Sequence, residues 1–371
     1  MTDMFFYGTL CHPPLLACVL GRTVDLQPAA LPDHAVHWAE GGAFPILLPR
    51  PGGRADGVLV RGLTAQDVAR LDYYEAGFAF DTFTLPVLAG PQEVPALVYI
   101  PRAGQWRPGA PWALADWQAR HGDEVTATAG DVMALYGVKP AGAVLARYPQ
   151  MLVRGAARVR AAATAPARQR AARGAGDLAL AARREPYARF FAVEEYDIAW
   201  RRFDGAMSPA ATRAVFLSGD AVTVLPYDPV RDRVLVVEQF RAGPYGRGDG
   251  NPWQLEAVAG RIDPGETPEQ AARREAVEEA GLHLGALEEV ARYYPSPGIC
   301  AEFLYSYVAL CDLPDGSAGI FGLAEEAEDI RGHLIGFDDL MQLVTSGEIG
   351  NAPLLLSVLW LQRERARLRA G

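Results

Sequence analysis

The sequence predicts a mixed α+β protein of two domains, and three observations lead there. Its 371 residues exceed the usual span of one domain. Residues 4–102 carry short apolar runs broken by Gly and Pro, which is the pattern of strands and turns. The second half runs strand, strand, glycine loop, helix, strand, helix, and a mixed sheet flanked by helices is the simplest architecture for that order.

The elements follow along the chain. Residues 4–10, MFFYGTL, read as a buried strand entering a glycine turn. Residues 57–60 (GVLV), 84–88 (TLPVL) and 96–100 (ALVYI) read as further strands, the last ending at Pro101. Helical patterns stand at residues 64–75 and 113–120. Residues 154–184 are dominated by Ala and Arg without a large aromatic, and read as a helical or partly mobile connector. Aromatics return at Tyr187, Phe190 and Phe191. The expected division is therefore 1–155, a connector at 156–186, and 187–371.

Half of the residues are apolar and 22% are charged, as in globular proteins. No uninterrupted apolar run approaches the roughly 18 residues of a membrane span. The first residues lack the basic start and long apolar stretch of a signal peptide, so a cytoplasmic location is expected. Cys11, Cys18, Cys300 and Cys311 lack ligand spacing and read as reduced thiols. Cys11 and His12 are adjacent, and neighbouring side chains rarely face each other as a catalytic pair. The remaining five histidines show no ligand spacing either. A net charge of −10, from 35 basic and 45 acidic residues, argues against a nucleic-acid partner. It leaves room for an anionic small molecule, because a bound cation inverts the local field.

The strongest chemistry lies at residues 260–282. Residues 260–266, GRIDPGE, form a loop rich in turn residues. Thr267, Pro268 and Gln270 then give an N-cap, a first-turn proline and a capping-box partner. The helix is expected to reach Ala280, with Gly281 as its C-cap. Spacings of three and four residues put Glu275 beside Glu278 and Glu279 on one face. Three crowded carboxylates repel one another in water, but together they suit a hard divalent cation such as magnesium. Glu266 can add to the cluster, and Arg274 can reach back to hold the loop by charge-assisted hydrogen bonds. Such a site neutralises a pyrophosphate and generates a nucleophilic water, whose proton a nearby carboxylate takes.

These residues match the pattern of the Nudix hydrolases: Gly260, five residues, Glu266, seven residues, Arg274-Glu275, an aliphatic Ala276, any residue, Glu278-Glu279, any residue, Gly281 and Leu282. At about 7% usage each, seven fixed matches arise by chance on the order of once in a hundred million starts. From about Tyr187 to Arg369 the chain also resembles the bacterial ADP-ribose pyrophosphatases. The carriers are residues 203–208 (FDGAMS), 225–232 (LPYDPVRD), 238–241 (EQFR), 252–256 (PWQLE), 296–298 (SPG) and 322–330 (GLAEEAEDI).

That resemblance implies a Nudix α/β/α sandwich with a mixed sheet, acting on ADP-ribose with Mg2+ as cofactor and Mn2+ as a substitute. It implies that Glu275, Glu278, Glu279 and the carbonyl of Ala259 ligate metal. Glu326 would orient or deprotonate the attacking water, with Glu328 as the alternative. Arg241 would pair with the diphosphate. Arg213 and Phe190 would stack on adenine, Phe190 coming from the other subunit of a homodimer. Glu302 would lie near the terminal ribose.

Tyr7-Gly8-Thr9-Leu10 resembles the signature loop of the gamma-glutamyl cyclotransferase-like (AIG2-like) proteins. Residues 71–75, LDYYE, match that family's segment bearing its acid/base glutamate, and residues 57–60 its middle strand. The resemblance covers about residues 4–102 and implies a small β-barrel-like fold. There the Tyr7–Leu10 turn would hold a substrate carboxylate, and Glu75 would shuttle the proton as a gamma-glutamyl amine cyclises. Two departures bear on the substrate: Ala76 replaces the usual glycine, and Phe80-Asp81 replaces a Tyr-Arg pair. A retained scaffold without turnover is the other reading of this domain. For the whole chain, two alternatives to ADP-ribose hydrolysis stand: another nucleotide sugar or dinucleotide as substrate, or a metabolite-binding regulatory protein. The intact glutamates favour catalysis, since a pure binder has no need of a complete cluster.

Overall fold

The computed structural model describes residues 1–162, 168–323 and 328–370. The chain divides into two compact units, Met1–Pro166 and Ala167–Gly371.

The first unit holds strands β1 (Thr2–Phe6), β2 (Gln27–Ala39), β3 (Pro45–Leu63), β4 (Phe80–Ala89), β5 (Gln92–Pro101) and β6 (Pro108–Pro111). Its helices are α1 (Pro13–Leu20), α2 (Ala65–Glu75), α3 (Leu114–Met133), α4 (Ala141–Leu145) and α5 (Tyr148–Ala161). The strand order is β3-β1-β5-β4-β2-β6, and an additional β3–β2 pairing closes five strands into a barrel. Closure removes the unpaired edges of an open sheet. Phe5, Leu31, Leu47, Leu59 and Val98 pack its interior. A second core joins the outer face of β1 to α1, α2 and α3 through Phe6, Leu15, Leu71, Trp117 and Val125. The helix expected at 113–120 extends to Met133, because Val125, Ala129 and Val132 continue its buried stripe. Thr64 caps α2 in a capping box with Asp67, whose carboxylate also holds Arg22 at 2.7 Å. That fixes the start of the helix whose last residue is Glu75.

The second unit opens with β7 (Leu178–Ala188), β8 (Ala192–Trp200) and β9 (Ala211–Leu217), a three-stranded antiparallel sheet. This corrects the expected connector: α5 runs to Ala161, and residues 178–184 are strand. Part of the expected connector, residues 163–167, lies outside the described residues. The alanine-rich composition favours helix, yet cross-strand ion pairs favour the strand. Arg183 meets Glu194 at 2.5 Å and Arg184 meets Asp197 at 2.6 Å.

The larger sheet comprises β10 (Ala221–Asp228), β11 (Arg233–Phe240), β12 (Trp253–Glu256), β13 (Val258–Arg261), β14 (Leu287–Tyr293), β15 (Leu304–Leu310), β16 (Ile320–Phe321) and β17 (Ile330–Gly336). The helices are α6 (Ala242–Arg247), α7 (Pro268–Ala280), α8 (Phe337–Ser346) and α9 (Ala352–Ala370). The order is β14-β15-β10-β11-β17-β16, with β12 on β11 and β13 on β10. β10 and β15 run parallel while the other pairs are antiparallel, so the sheet is mixed. α7 covers one face through Ala271, Ala272, Ala276 and Ala280. α8 and α9 cover the other through Leu340, Leu354, Val358 and Leu361. The expected α/β/α sandwich is what forms. Among the described residues, no helix is long and apolar enough to cross a membrane.

Candidate functional site

The alanine face of α7 sets the geometry. Small side chains let the helix approach β13 closely enough for Glu279 to reach the backbone, and its Oε2 accepts the Ala259 N–H at 2.9 Å. Gly260 is required for the same approach. A Cβ there would stand 1.8 Å from Oε1 of Glu275. The helix ends as expected, with Gly281 in the left-handed region at φ 63°.

Arg274 organises the loop. Its guanidinium grips Glu266 in a two-pronged bond, 2.9 Å on each side, and donates to the Arg261 carbonyl at 3.0 Å. The remaining nitrogen reaches Glu275 at 2.7 Å and Glu278 at 3.0 Å. Arg274 thus lowers the Glu266 carboxyl from its ordinary value, chiefly by hydrogen bonding.

One arginine does not balance the buried acids. Burial pushes Glu275 up to about 7, against the opposing pull of Arg274. Burial also pushes Glu279 up to about 8, with the Ala259 hydrogen bond working in the other direction. Glu279 is only 3% exposed. Glu328 acts by its charge on both carboxyls, and its own Oε2 accepts the Leu323 N–H at 3.1 Å. Glu326 lies outside the described residues. Among the described residues, no three acidic, His or Cys side chains converge into a finished ligand set. Glu275 and Glu278 turn to Arg274 instead.

The other expected residues ring this centre unevenly. Arg241 pairs with Glu256 at 2.7 Å. Burial raises Glu302, which accepts from the Ser218 hydroxyl at 3.4 Å and is acted on by both Arg241 and Arg261. Arg213 lies over the Trp200 ring at 5.3 Å, while Phe190 lies over Arg261 at 4.6 Å. Each member of the expected adenine sandwich therefore faces a different group within one chain. Arg261 was not singled out from the sequence, because it occupies a variable position of the motif.

In the first unit, Tyr7, Gly8, Thr9, Leu10 and Glu75 line one cavity of about 280 Å³. The Thr9–Cys11 turn spends the N–H groups of Cys11 and His12 on the Gly8 and Thr9 carbonyls. Enclosure by protein raises Glu75 to about 8, with a smaller push from Asp72. Tyr7 donates to the Tyr99 carbonyl at 2.8 Å, and Tyr99 donates to Asp72 at 2.8 Å. Phe44, Phe78 and Tyr148 complete an aromatic wall that the sequence did not announce. Cys11 donates to the Phe6 carbonyl while His12 pairs with Gln118, so the adjacent pair does not act together.

Two family patterns match this chain. One, described as NUDIX domain, covers residues 217–356, and the other, described as gamma-glutamyl cyclotransferase, AIG2-like, covers residues 4–119. An ADP-ribose pyrophosphatase of Escherichia coli strain K12 is 40% identical over 196 residues, which are 53% of this chain and 93% of that protein. The ADP-ribose pyrophosphatase of Haemophilus influenzae is 33% identical over 52% of this chain and 89% of that protein. A GDP-mannose pyrophosphatase of Enterobacter sp. strain 638 is 30% identical over 40% of this chain and 77% of its own length. With a complete glutamate helix, the loop that Arg274 holds, and this similarity in its second half, the chain belongs to the Nudix hydrolases as a pyrophosphohydrolase joined to an AIG2-like gamma-glutamyl cyclotransferase domain.

Proposed function

We propose that the second unit hydrolyses ADP-ribose with water to AMP and ribose 5-phosphate, using Mg2+, with Mn2+ as a substitute. The observation that carries this reading is the pair Glu275 and Glu279, a half-buried and a buried carboxyl on one face of α7 whose ionisation burial opposes. They suit a site completed by a cation. The donors are all oxygen, which favours a hard divalent ion over a soft one. The named relatives support an ADP-linked sugar over a GDP-linked one, by higher identity over more of their length.

Glu275, Glu278, Glu279 and the Ala259 carbonyl would hold the cation. Ala259 gives its N–H to Glu279. In an antiparallel ladder a residue's carbonyl turns the same way as its N–H, so this carbonyl also faces α7. When bound, the cation supplies charge neutralisation at the diphosphate and a lowered pKa for its water. Arg274 can release Glu275 and Glu278 and still hold the loop through Glu266 and the Arg261 carbonyl. Arg241 would exchange Glu256 for the diphosphate. Glu326 would orient the attacking water and take its proton, and Glu328 is the alternative base. In a homodimer Arg213 would stack on one face of adenine, and Phe190 of the partner subunit would stack on the other.

The test is incubation of the purified chain with ADP-ribose and Mg2+. AMP and ribose 5-phosphate are expected in equal amounts. Hydrolysis of another nucleotide sugar or dinucleotide, but not of ADP-ribose, would refute the substrate and keep the reaction. Binding without turnover would identify a metabolite-binding regulatory protein.

A second reading concerns the first unit, favoured by the meeting of Glu75 and the Tyr7–Leu10 turn in one cavity. The turn would hold a substrate carboxylate. Glu75 would take a proton from the alpha-amino group as its nitrogen attacks the gamma-amide carbonyl, and would return it to the departing amine. The products are 5-oxoproline and the free amine. Release of 5-oxoproline from gamma-glutamyl amines by the full chain, lost in Glu75→Gln, is the expected result; no release would leave a scaffold.

A further inference from the structure

The end of β13 carries a side chain that the reading above leaves without a task. Gly260 faces α7, as the contact its missing Cβ would make with Glu275 requires. Strand alternation then sends the Arg261 side chain to the opposite face. There its guanidinium is held on two sides: one Nη donates to the Ser218 carbonyl at 2.7 Å, and the Phe190 ring covers the plane at 4.6 Å. Its Nε is buried and finds no hydrogen-bond partner among the described residues. A buried guanidinium N–H without an acceptor is costly, so the position suits an acceptor that the described residues do not supply.

The surroundings say which acceptor fits. Asp263 and Glu302 act on Arg261 by their charges, and Asp220 acts on Glu302. Ser218 joins Arg261 to Glu302, giving its carbonyl to one and its hydroxyl to the other. A phosphate placed here would face three carboxylates. A hydroxyl there is neutral and is not repelled, because it can accept from Arg261 and donate to Glu302. Neighbouring hydroxyls on one ring present that donor and acceptor side by side. Arg241 also acts on both Glu302 and Glu279, which ties this corner to the carboxylate helix.

We infer that Arg261, with Glu302, is a specificity-determining clamp for a vicinal diol on one of the two sugars of the nucleotide substrate. The inference rests on the hydrolase reading given above. The Ser218 carbonyl holds one end of the guanidinium, so the clamp is oriented before the sugar arrives.

The experiment compares kcat/KM of the full-length wild type, Arg261→Gln and Arg261→Lys on three nucleotides with Mg2+. The first is ADP-ribose. The second is an ADP ester of a simple alcohol, which lacks the distal diol. The third is the 2′-deoxyadenosine analogue of ADP-ribose, which lacks the nucleoside diol. The wild type should lose about 10- to 100-fold on the analogue lacking the clamped diol, as expected for hydrogen bonds to charged groups. Arg261→Gln should lose a similar factor on ADP-ribose and little on that analogue, and the analogue affected identifies the sugar. Arg261→Lys keeps the charge without the Nε–H and should follow Gln, which serves if Gln melts early. Equal losses on all three nucleotides, or none on any, would overturn the clamp. A wild type that hydrolyses none of the three would overturn the hydrolase reading and this inference with it.

Discussion

Replacing Glu279 by Gln keeps the shape of the side chain and its capacity to accept the Ala259 N–H, but removes an ionisable group that is 3% exposed. Burial raises that group from an ordinary 4.5 to about 8. At about 1.36 kcal/mol per pH unit, full ionisation in the cation-free fold costs up to about 5 kcal/mol. The sign follows from proton counts. Between pH 4.5 and 8 the unfolded chain has lost this proton and the folded chain keeps it, so stability is present at low pH and is lost as pH rises through 8. The Gln variant lacks that slope. In chelator at pH 9 it should out-melt the wild type, by on the order of 10 °C for a unit of this size. Adding Mg2+ should raise the wild-type transition and leave the variant nearly unmoved, while the variant loses at least about 100-fold in turnover. Thermal melts across pH 5–9, with and without cation, are the assay. Parallel pH curves together with full turnover would refute the reasoning.

Three further outcomes follow from the same geometry. Gly260→Ala puts a Cβ where Glu275 Oε1 stands, 1.8 Å away, so the carboxylate must leave; cation titration should show weakened binding with the fold kept, and wild-type affinity would contradict this. Arg274→Lys cannot reproduce the two-pronged bond to Glu266, so the loop should loosen at a cost of about 1–3 kcal/mol, and an unchanged melting temperature would count against its role. Any 5-oxoproline release should rise with pH through about 8 as Glu75 loses its proton, and Glu75→Gln should abolish it without affecting nucleotide hydrolysis; a flat profile would remove Glu75 as the base.

The second site was legible where its logic is local. Thr267 and Gln270 announced the start of α7, Gly281 its end, and the spacing of Glu275, Glu278 and Glu279 their shared face. The grip of Arg274 on Glu266 was also legible, since loop and helix are contiguous. The role of Arg261 was not, because it depends on Ser218 and Glu302, which arrive from the turn after the three-stranded sheet and from the segment before β15. β7 was hidden for a related reason. Its alanines and arginines favour helix, and only the acids of β8 across the ladder reverse that preference. In the first unit the turn and the glutamate could be read from the sequence, but the cavity joining them could not. Phe44, Phe78 and Tyr148 come from three separate segments and converge only in the fold.

The most direct measurement is anomalous diffraction from crystals grown with Mn2+ and a non-hydrolysable ADP-ribose analogue. Density about 2.1–2.3 Å from the carboxylate oxygens of Glu275, Glu278 and Glu279, with the diphosphate alongside, is the predicted result. Those three side chains still bonded to Arg274 and Ala259, with manganese bound elsewhere, would contradict the account.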